Sequence, residues 1–377
     1  MGSVDWDRRL FDVLVPLPEG TSYNAYLIQG SEKTALLDTD EPEMIDELMG
    51  QLEGVEKIDY LVSHHSEQDH SGAIPQVLEK YPEARVVTSS KGKDMLLDLL
   101  EIPEESFQVV EDGETLSLGN RTLRFIYTPW VHWPETMSSY LEEDRILFSC
   151  DFFGSHIASS DLFVSDECRV LDAAKRYFAE IMMPFRMIIT QNLEKLSPLD
   201  ISMIAPSHGP IYQRPELILD AYKQWVSGPL DPTVVVPYVS MHDSTKKMVE
   251  YFVTSLVDRG VKVEQFNLEV TDTGKFAMAL VDASAIVFAT PTVLGGPHPY
   301  AVYFAYLANA LRPRTKYLSV IGSFGWGGRT VEMLKDLTSG LQAEYLEPTL
   351  CKGDPRNEAF AALDQLASDL AGKILEQ

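Results

Sequence analysis

Four side chains able to bind a metal ion fall within six residues: His65, Glu67, Asp69 and His70. They lie in Leu61-Val62-Ser63-His64-His65-Ser66-Glu67-Gln68-Asp69-His70-Ser71-Gly72, after the apolar run Ile58 to Val62. Imidazole nitrogens and carboxylate oxygens together suit iron, zinc or manganese, and no thiolate is present to favour a closed structural zinc site. A lone His or Asp here would read as a polar loop group or a cap on the next helix. The spacing His-x-Glu-x-Asp-His after a predicted buried strand points to metal chemistry instead.

Three further candidates repeat the pattern of strand, then ligand. His132 sits in Thr128-Pro129-Trp130-Val131-His132-Trp133-Pro134, Asp151 follows the apolar run Ile146 to Cys150, and His208 sits in Met203-Ile204-Ala205-Pro206-Ser207-His208-Gly209-Pro210. Each alone is a weak signal. Together, seven such groups at one edge can hold two metals with a carboxylate between them. His64 adjoins the motif but points to the other face if the segment stays extended, so it is left out of the ligand set. His156 follows Asp151 closely and receives no role.

The elements that must position these groups are short. Tyr23 to Ile28 and Thr34 to Asp38 predict a hairpin across Gly30-Ser31-Glu32. Helices are expected over Glu41 to Leu52, from Gly72 to Glu79 and over Gly92 to Leu100, with strands at Arg85 to Thr88, Glu114 to Gly119 and Thr122 to Thr128. A layered β-sheet sandwich would bring the ligand-bearing strand ends to one edge.

At 377 residues the chain is long enough for two domains. Hydrophobic residues make up 45% and charged residues 23%, as in a soluble globular protein. No apolar run is long enough to span a bilayer, and the first residues lack signal-peptide features, so a cytoplasmic location is expected. The net charge of -26 disfavours nucleic acid as a partner. Cys150, Cys168 and Cys351 form no Cys-x-x-Cys pair; they cannot build a rubredoxin-type or zinc-ribbon site and read as buried small residues.

A different pattern begins after Arg214 to Trp225, the expected last helix of the first domain. Ser227-Gly228-Pro229-Leu230-Asp231-Pro232 reads as a linker. Thr233 to Val239 predicts a buried parallel strand, Ser240-Met241-His242-Asp243-Ser244-Thr245 a hydroxyl-rich loop, and Lys246 to Asp258 a helix. Loop hydroxyls, amides and a helix N-terminus grip a phosphate; the alternative is a plain N-cap by Ser244 or Thr245. Strands at Ala285 to Ala289 and Lys316 to Ile321 run into Thr290-Pro291-Thr292-Val293-Leu294-Gly295-Gly296 and Gly322-Ser323-Phe324-Gly325-Trp326-Gly327-Gly328. Five strands alternating with helices predict a doubly wound α/β sheet, whose ligands sit at the carboxyl ends of the strands. Glycines there admit a flat ring, and Phe324 or Trp326 can stack on it.

The ligand motif resembles the metallo-β-lactamase fold, an αββα sandwich of α+β class with a two-metal centre at its edge. Hydrolytic members usually carry His where Glu67 stands, and a Glu there resembles the flavodiiron proteins. That resemblance implies two irons: His65, Glu67 and His132 on one, Asp69, His70 and His208 on the other, and Asp151 between. The gaps agree, with 62 positions from His70 to His132 and 57 from Asp151 to His208.

The later loops resemble the FMN loops of the flavodoxin-like domain these proteins carry. The FMN residues implied are Ser240, Met241, His242, Ser244, Thr245, Thr290, Pro291, Thr292, Ser323, Phe324, Gly325, Trp326, Gly327 and Gly328. The resemblance spans nearly the whole chain, with a diiron domain over 1–228 and an FMN domain over 229–377. Trp133 and Tyr177 are implied as pocket residues at the irons. Two departures stand out: Asp243 puts a carboxylate in the phosphate loop, so its side chain must point away, and Phe178 stands where many members have a second Tyr.

The activity implied is reduction of O2 to water, of NO to N2O, or both, with electrons from a separate donor such as a rubredoxin or reduced F420. The assembly implied is a head-to-tail homodimer or a dimer of dimers. The rival readings are a dinuclear zinc hydrolase with an attached flavodoxin-like module, and an electron carrier with a vestigial metal site.

Overall fold

Alternation of side chains along short strands produces two facing sheets in the first part of the chain. In the computed structural model, which describes residues 1–376, the first sheet runs Tyr26–Gln29, Thr34–Leu37, Tyr60–Val62, Arg85–Thr88, Phe107–Val109. Its first pair is antiparallel and the rest are parallel. The second sheet runs Thr115–Ser117, Thr122–Tyr127, Met137–Leu141, Ile146–Cys150, Met203–Pro206, antiparallel except for the last pair. Leu37, Val62 and Val87 of one sheet share a core with Phe125, Met137 and Phe148 of the other. Their strand neighbours Leu36, Leu61 and Val86 face the opposite way, onto helix residues Leu48, Ile74, Val77 and Leu96. Successive side chains thus serve two layers, and the sandwich follows.

The chain divides into two compact units, Met1–Phe178 with Phe185–Ser227, and Ala179–Pro184 with Gly228–Gln377. In the second, the strand order is Lys262–Asn267, Asp231–Tyr238, Ala283–Ala289, Tyr317–Phe324, followed by Glu344–Tyr345, all parallel. Numbered in chain order this is 2-1-3-4-5, the flavodoxin-like doubly wound arrangement. Val234, Val236, Val287 and Ile321 bury one sheet face against Met248, Phe252 and Leu256 of helix Ser244–Val257 and Leu363, Leu366 and Leu370 of helix Asn357–Leu375. Each such side chain contributes roughly 1.5–3 kcal/mol of burial.

Three expectations shift. The hairpin strand begins at Tyr26 rather than Tyr23, because Thr21–Asn24 pairs with Gly2–Asp5 and the Ala25 amide donates to the Met1 carbonyl. The single helix expected from Gly72 becomes two, Gln68–Ser71 and Ile74–Lys80; Pro75 near the start of the second cannot supply an amide to continue the first. The fifth strand of the second sheet is two segments, Glu344–Tyr345 and Thr349–Lys352, both paired with Tyr317–Phe324. Pro348, which has no ladder donor, lies between them.

Candidate metal centre and flavin loops

The seven ligand candidates converge. Glu67 Oε2 lies 3.1 Å from His65 Nε2 and 3.0 Å from His132 Nε2. Asp69 Oδ2 lies 3.2 Å from both His70 Nε2 and His208 Nε2. Asp151 serves both groups: its Oδ2 is 3.5 Å from His65 and His132, and its Oδ1 is 2.8 Å from His70 and 3.4 Å from His208. The ladder of strand Ile146–Cys150 is irregular between Phe148 and Cys150, and Cys150 has φ +52°. Such a kink re-aims the side chain that follows, here Asp151. Asp69 and His70 sit on the short helix Gln68–Ser71 rather than on an open loop, with Glu67 at its N-cap.

Two metal ions fit this set. Both oxygens of Asp69, Oδ1 of Asp151 and both ring nitrogens of His70 are buried without a hydrogen-bond partner. Native proteins rarely leave such atoms unmatched, and Asp69, His70 and Asp151 each offer an atom to clusters whose ligand atoms lie within 4.8 Å of one another. Without metal, protons fill the gap. Burial opposes the charged imidazole, yet the surrounding carboxylates hold His65 well above its ordinary value, His70 above it, and push His208 up to about 10. Burial likewise opposes the carboxylates, but the imidazoles hold both below their usual range, Glu67 through hydrogen bonds and charge from His132 and His65, and Asp151 chiefly through the charge of His70. Cations would displace those protons. Cys150 also comes near His70 and Asp151, but burial, with the Asp38 and Asp151 charges, pushes its thiol well up. The seven candidates themselves offer only nitrogen and oxygen donors, as for iron, manganese or zinc.

Several supporting groups escaped the sequence reading. Glu135 Oε1 accepts from His65 Nδ1 at 2.8 Å and from the Ser66 amide at 2.9 Å. The Ser22 carbonyl accepts from His208 Nδ1 at 2.8 Å. Asp12, at the tip of a hairpin between Leu10–Phe11 and Val15–Pro16, is pushed up to about 6 by burial and by the charges of Glu67 and Asp69. Nothing in the local sequence marks these residues, because each reaches the centre from a segment remote in sequence from the group it meets.

The pocket candidates lie beside the ligands. The Trp133 ring stands perpendicular to that of His65 at 4.9 Å, and Tyr177 is 5.9 Å from His208. His156 joins them, 4.6 Å from His208 and 4.9 Å from Tyr177, with Nδ1 bonded to Thr21 Oγ1. Phe178 instead packs on Tyr222 and Trp225, each at 5.4 Å. His64 turns away from the ligand clusters, toward Asp38 and Ser139.

In the second unit, the three loops extend from the carboxyl ends of adjacent strands. Ser240, Met241 and His242 precede helix Ser244–Val257, whose N-cap is Asp243 in the left-handed region at φ +60° with no side-chain cap. Asp243 is exposed, and Ser244 and Thr245 do not cap the helix. The Ser240 hydroxyl accepts from the Lys246 amide at 3.2 Å, and Thr245 Oγ1 bonds Ser323 Oγ at 3.1 Å. A helix start whose N-cap side chain makes no cap bond is suited to a phosphate.

Thr290 Oγ1 accepts from the His298 amide at 3.1 Å and donates to the Pro291 carbonyl at 3.0 Å; Thr292 Oγ1 bonds Thr330 Oγ1 at 2.8 Å. In the last loop, after Ser323 and Phe324, a Cβ on Gly328 would come within 2.9 Å of the Gly295 carbonyl, so these two loops meet backbone to backbone. Gly325 and Gly327 open onto free space, and Trp326 is 78% exposed. A helix start without a cap from its N-cap side chain, an open glycine shelf and an available indole fit a flavin mononucleotide.

Comparison with known proteins places this architecture. A family model described as "ODP family beta lactamase" matches residues 21–209. The nitric oxide reductase of Moorella thermoacetica is 34% identical, over 100% of this chain and 97% of its own length. The coenzyme F420H2 oxidase of Methanothermobacter marburgensis is 33% identical, over 98% of this chain and 96% of its own. The rubredoxin oxygen:oxidoreductase structure from Desulfovibrio gigas superposes with a TM-score of 0.95 at 31% identity, covering 100% of this chain and 96% of that one. Likeness of this extent takes in the ligand-bearing half and the flavin-loop half together, in one order along one chain, and by it the chain belongs to the flavodiiron, or A-type flavoprotein, family.

Proposed function

We propose that this protein is a flavodiiron oxidoreductase that reduces O2 to water, NO to N2O, or both. The observation that carries the reading is the two-sided Asp151, with one oxygen turned to each ligand cluster. Family members carry FMN and a non-haem diiron site. When bound, the flavin supplies electrons and the iron pair reduces the small diatomic.

The residues of the chain set the conditions for that chemistry. His65, Glu67 and His132 would hold one iron and Asp69, His70 and His208 the other, with the Asp151 carboxylate available to both. Trp133 and Tyr177 form apolar walls that admit a small gas and exclude bulk water. Asp12 lies against Glu67 and is itself exposed, so it sits between the ligand and solvent. The start of helix Ser244–Val257 would receive the FMN phosphate, and the exposed Trp326 indole would be available to stack on the ring.

The diiron domain occupies residues 1–228 and the FMN domain 229–377. Exposed apolar side chains flank each site: Val13, Leu14 and Trp130 in the first unit, Met241, Leu294 and Trp326 in the second. These faces suit a head-to-tail homodimer, or a dimer of dimers, in which the flavin of one chain meets the iron pair of another. The donor is a rubredoxin or reduced F420, the partners named in two of the relatives. Among the described residues no helix is long and apolar enough to cross a membrane. The location proposed is cytoplasmic, and the net charge of -26 leaves nucleic acid outside the proposal.

The test is anaerobic reduction of the iron-loaded, flavin-replete protein, followed by mixing with O2 or NO. Rapid optical reoxidation of the flavin is expected with at least one gas. Two bound zincs, no retained flavin and cleavage of ester substrates would instead establish a hydrolase. Bound flavin that neither gas reoxidises would leave an electron carrier.

A further inference from the structure

A buried hydrogen-bonded chain lies immediately behind the ligand clusters. His64 Nδ1 is 2.7 Å from Asp38 Oδ2, and His64 Nε2 is 2.7 Å from Ser139 Oγ. A carboxylate can only accept, so Nδ1 carries a proton, and in that neutral tautomer Nε2 accepts from the Ser139 hydroxyl. The order Ser, His, Asp has the geometry of a nucleophilic triad. Yet Ser139 is 0%, His64 1% and Asp38 2% exposed, so no substrate reaches the hydroxyl.

What the three groups do is tie the two sheets together at the level of the ligands. Asp38 ends strand Thr34–Leu37 and His64 follows Tyr60–Val62, both in the first sheet; Ser139 lies within Met137–Leu141 of the second. Asp38 Oδ1 also accepts from the His64 amide at 2.8 Å, and the His64 carbonyl accepts from the Met137 amide at 3.0 Å. The His64 and Asp38 members of this chain adjoin ligands. His65 follows His64. Thr39, next to Asp38, donates its amide at 2.7 Å and its hydroxyl at 2.8 Å to the His70 carbonyl. Ser207, whose hydroxyl is 3.5 Å from Asp38 Oδ2, precedes His208.

We propose that His64 is a positioning residue which, bonded to Asp38 and Ser139, clamps the two sheets and sets the separation of the two metal positions. The clamp reaches His65 on one side of Asp151, and His70 and His208 on the other. Its loss therefore disturbs both positions together, unlike loss of a group behind a single ligand. The inference rests on the two-metal reading above.

The test uses the iron-loaded, flavin-replete full chain and two substitutions that break the same bond from opposite ends, His64→Asn and Ser139→Ala. Asn retains a donor near the Nδ1 position for Asp38 and loses the reach to Ser139. Each variant should release iron to a chelator about 10- to 100-fold faster, the usual cost of losing a group that orients metal ligands. Each should also alter the electron paramagnetic resonance spectrum of the half-reduced iron pair, while FMN per chain stays unchanged. The double variant should be no worse than either single one, because both remove one shared interaction.

Val86→Ala, in a neighbouring core strand and without a bond to the ligand segments, controls for plain loss of stability. Release rates and spectra like wild type, or faster release no greater than in Val86→Ala at an equal drop in melting temperature, would overturn the clamp alone. A wild-type protein that holds no metal pair would overturn the functional reading, and the clamp with it.

Discussion

Glu135 and His65 form a buried carboxylate–imidazole pair, with Glu135 Oε1 2.8 Å from His65 Nδ1, on the side of the ring away from Glu67 and Asp151. A carboxylate in this place fixes the tautomer and makes the opposite nitrogen a stronger donor. Glu135→Gln keeps the acceptor oxygen and removes the charge. It should weaken iron retention by about 10-fold or more and raise the reduction potential of the pair, read by a chelator competition and by spectroelectrochemistry. An unchanged potential would mean that Glu135 acts on geometry alone.

Asp151 is the only ligand candidate with an oxygen turned toward each cluster. Asp151→Asn preserves volume and removes the shared charge. Iron content should fall below two per chain and magnetic coupling should vanish, with FMN content unaffected. Metal analysis with low-temperature spectroscopy decides this, and a coupled pair surviving in the variant would refute the bridging role.

Trp326 offers the clearest test of the flavin loops, because it is 78% exposed and supports no core. Trp326→Ala should leave the melting temperature of the flavin-free protein nearly unchanged. Loss of stacking should weaken FMN binding about 2- to 10-fold, as expected for an aromatic contact of roughly 0.5–1.5 kcal/mol. Fluorescence titration of flavin-free protein measures it. Equal affinity would place the ring elsewhere.

Asp40 predicts a pH dependence of stability. Burial pushes its carboxyl up to about 7, although the Ser3 hydroxyl and the Glu41 amide donate to Oδ1. A folded-state value above the unfolded one means a stabilising contribution present below the ordinary value of 3.8 and lost as pH rises through about 7. Wild type should therefore lose stability from this group between those limits, and Asp40→Asn should flatten that part of the curve. Melting temperatures at pH 5 and pH 8, with metal loading held constant, would show whether the two proteins diverge.

Where the sequence was legible, the signal was local. His65, Glu67, Asp69 and His70 share one turn after one strand, and His132, Asp151 and His208 each follow a strand of their own. Where it was illegible, the partner came from far away. Glu135 is one of 57 acidic residues and follows a proline in an irregular loop. The strand Met137–Leu141 was missed because Ser138 and Ser139 break its apolar pattern, yet both are buried, bonded to Thr128 and His64. Asp12 approaches Glu67 only through a hairpin whose tip residues carry no periodicity. The fifth strand of the second sheet was expected whole, and Pro348 divides it.

By itself, the order of residue types determined that nitrogen and oxygen donors follow buried strands in the first half and that hydroxyl- and glycine-rich loops follow buried strands in the second. Those are properties of neighbours along a chain, where strand period and loop composition act directly. Only the tertiary structure decided that Asp151 turns one oxygen to each ligand cluster, that Glu135 backs His65, and that His64 faces Ser139 rather than a metal. Those relationships depend on how two sheets pack and where their strand ends meet, and distances of that kind are set by the whole core at once.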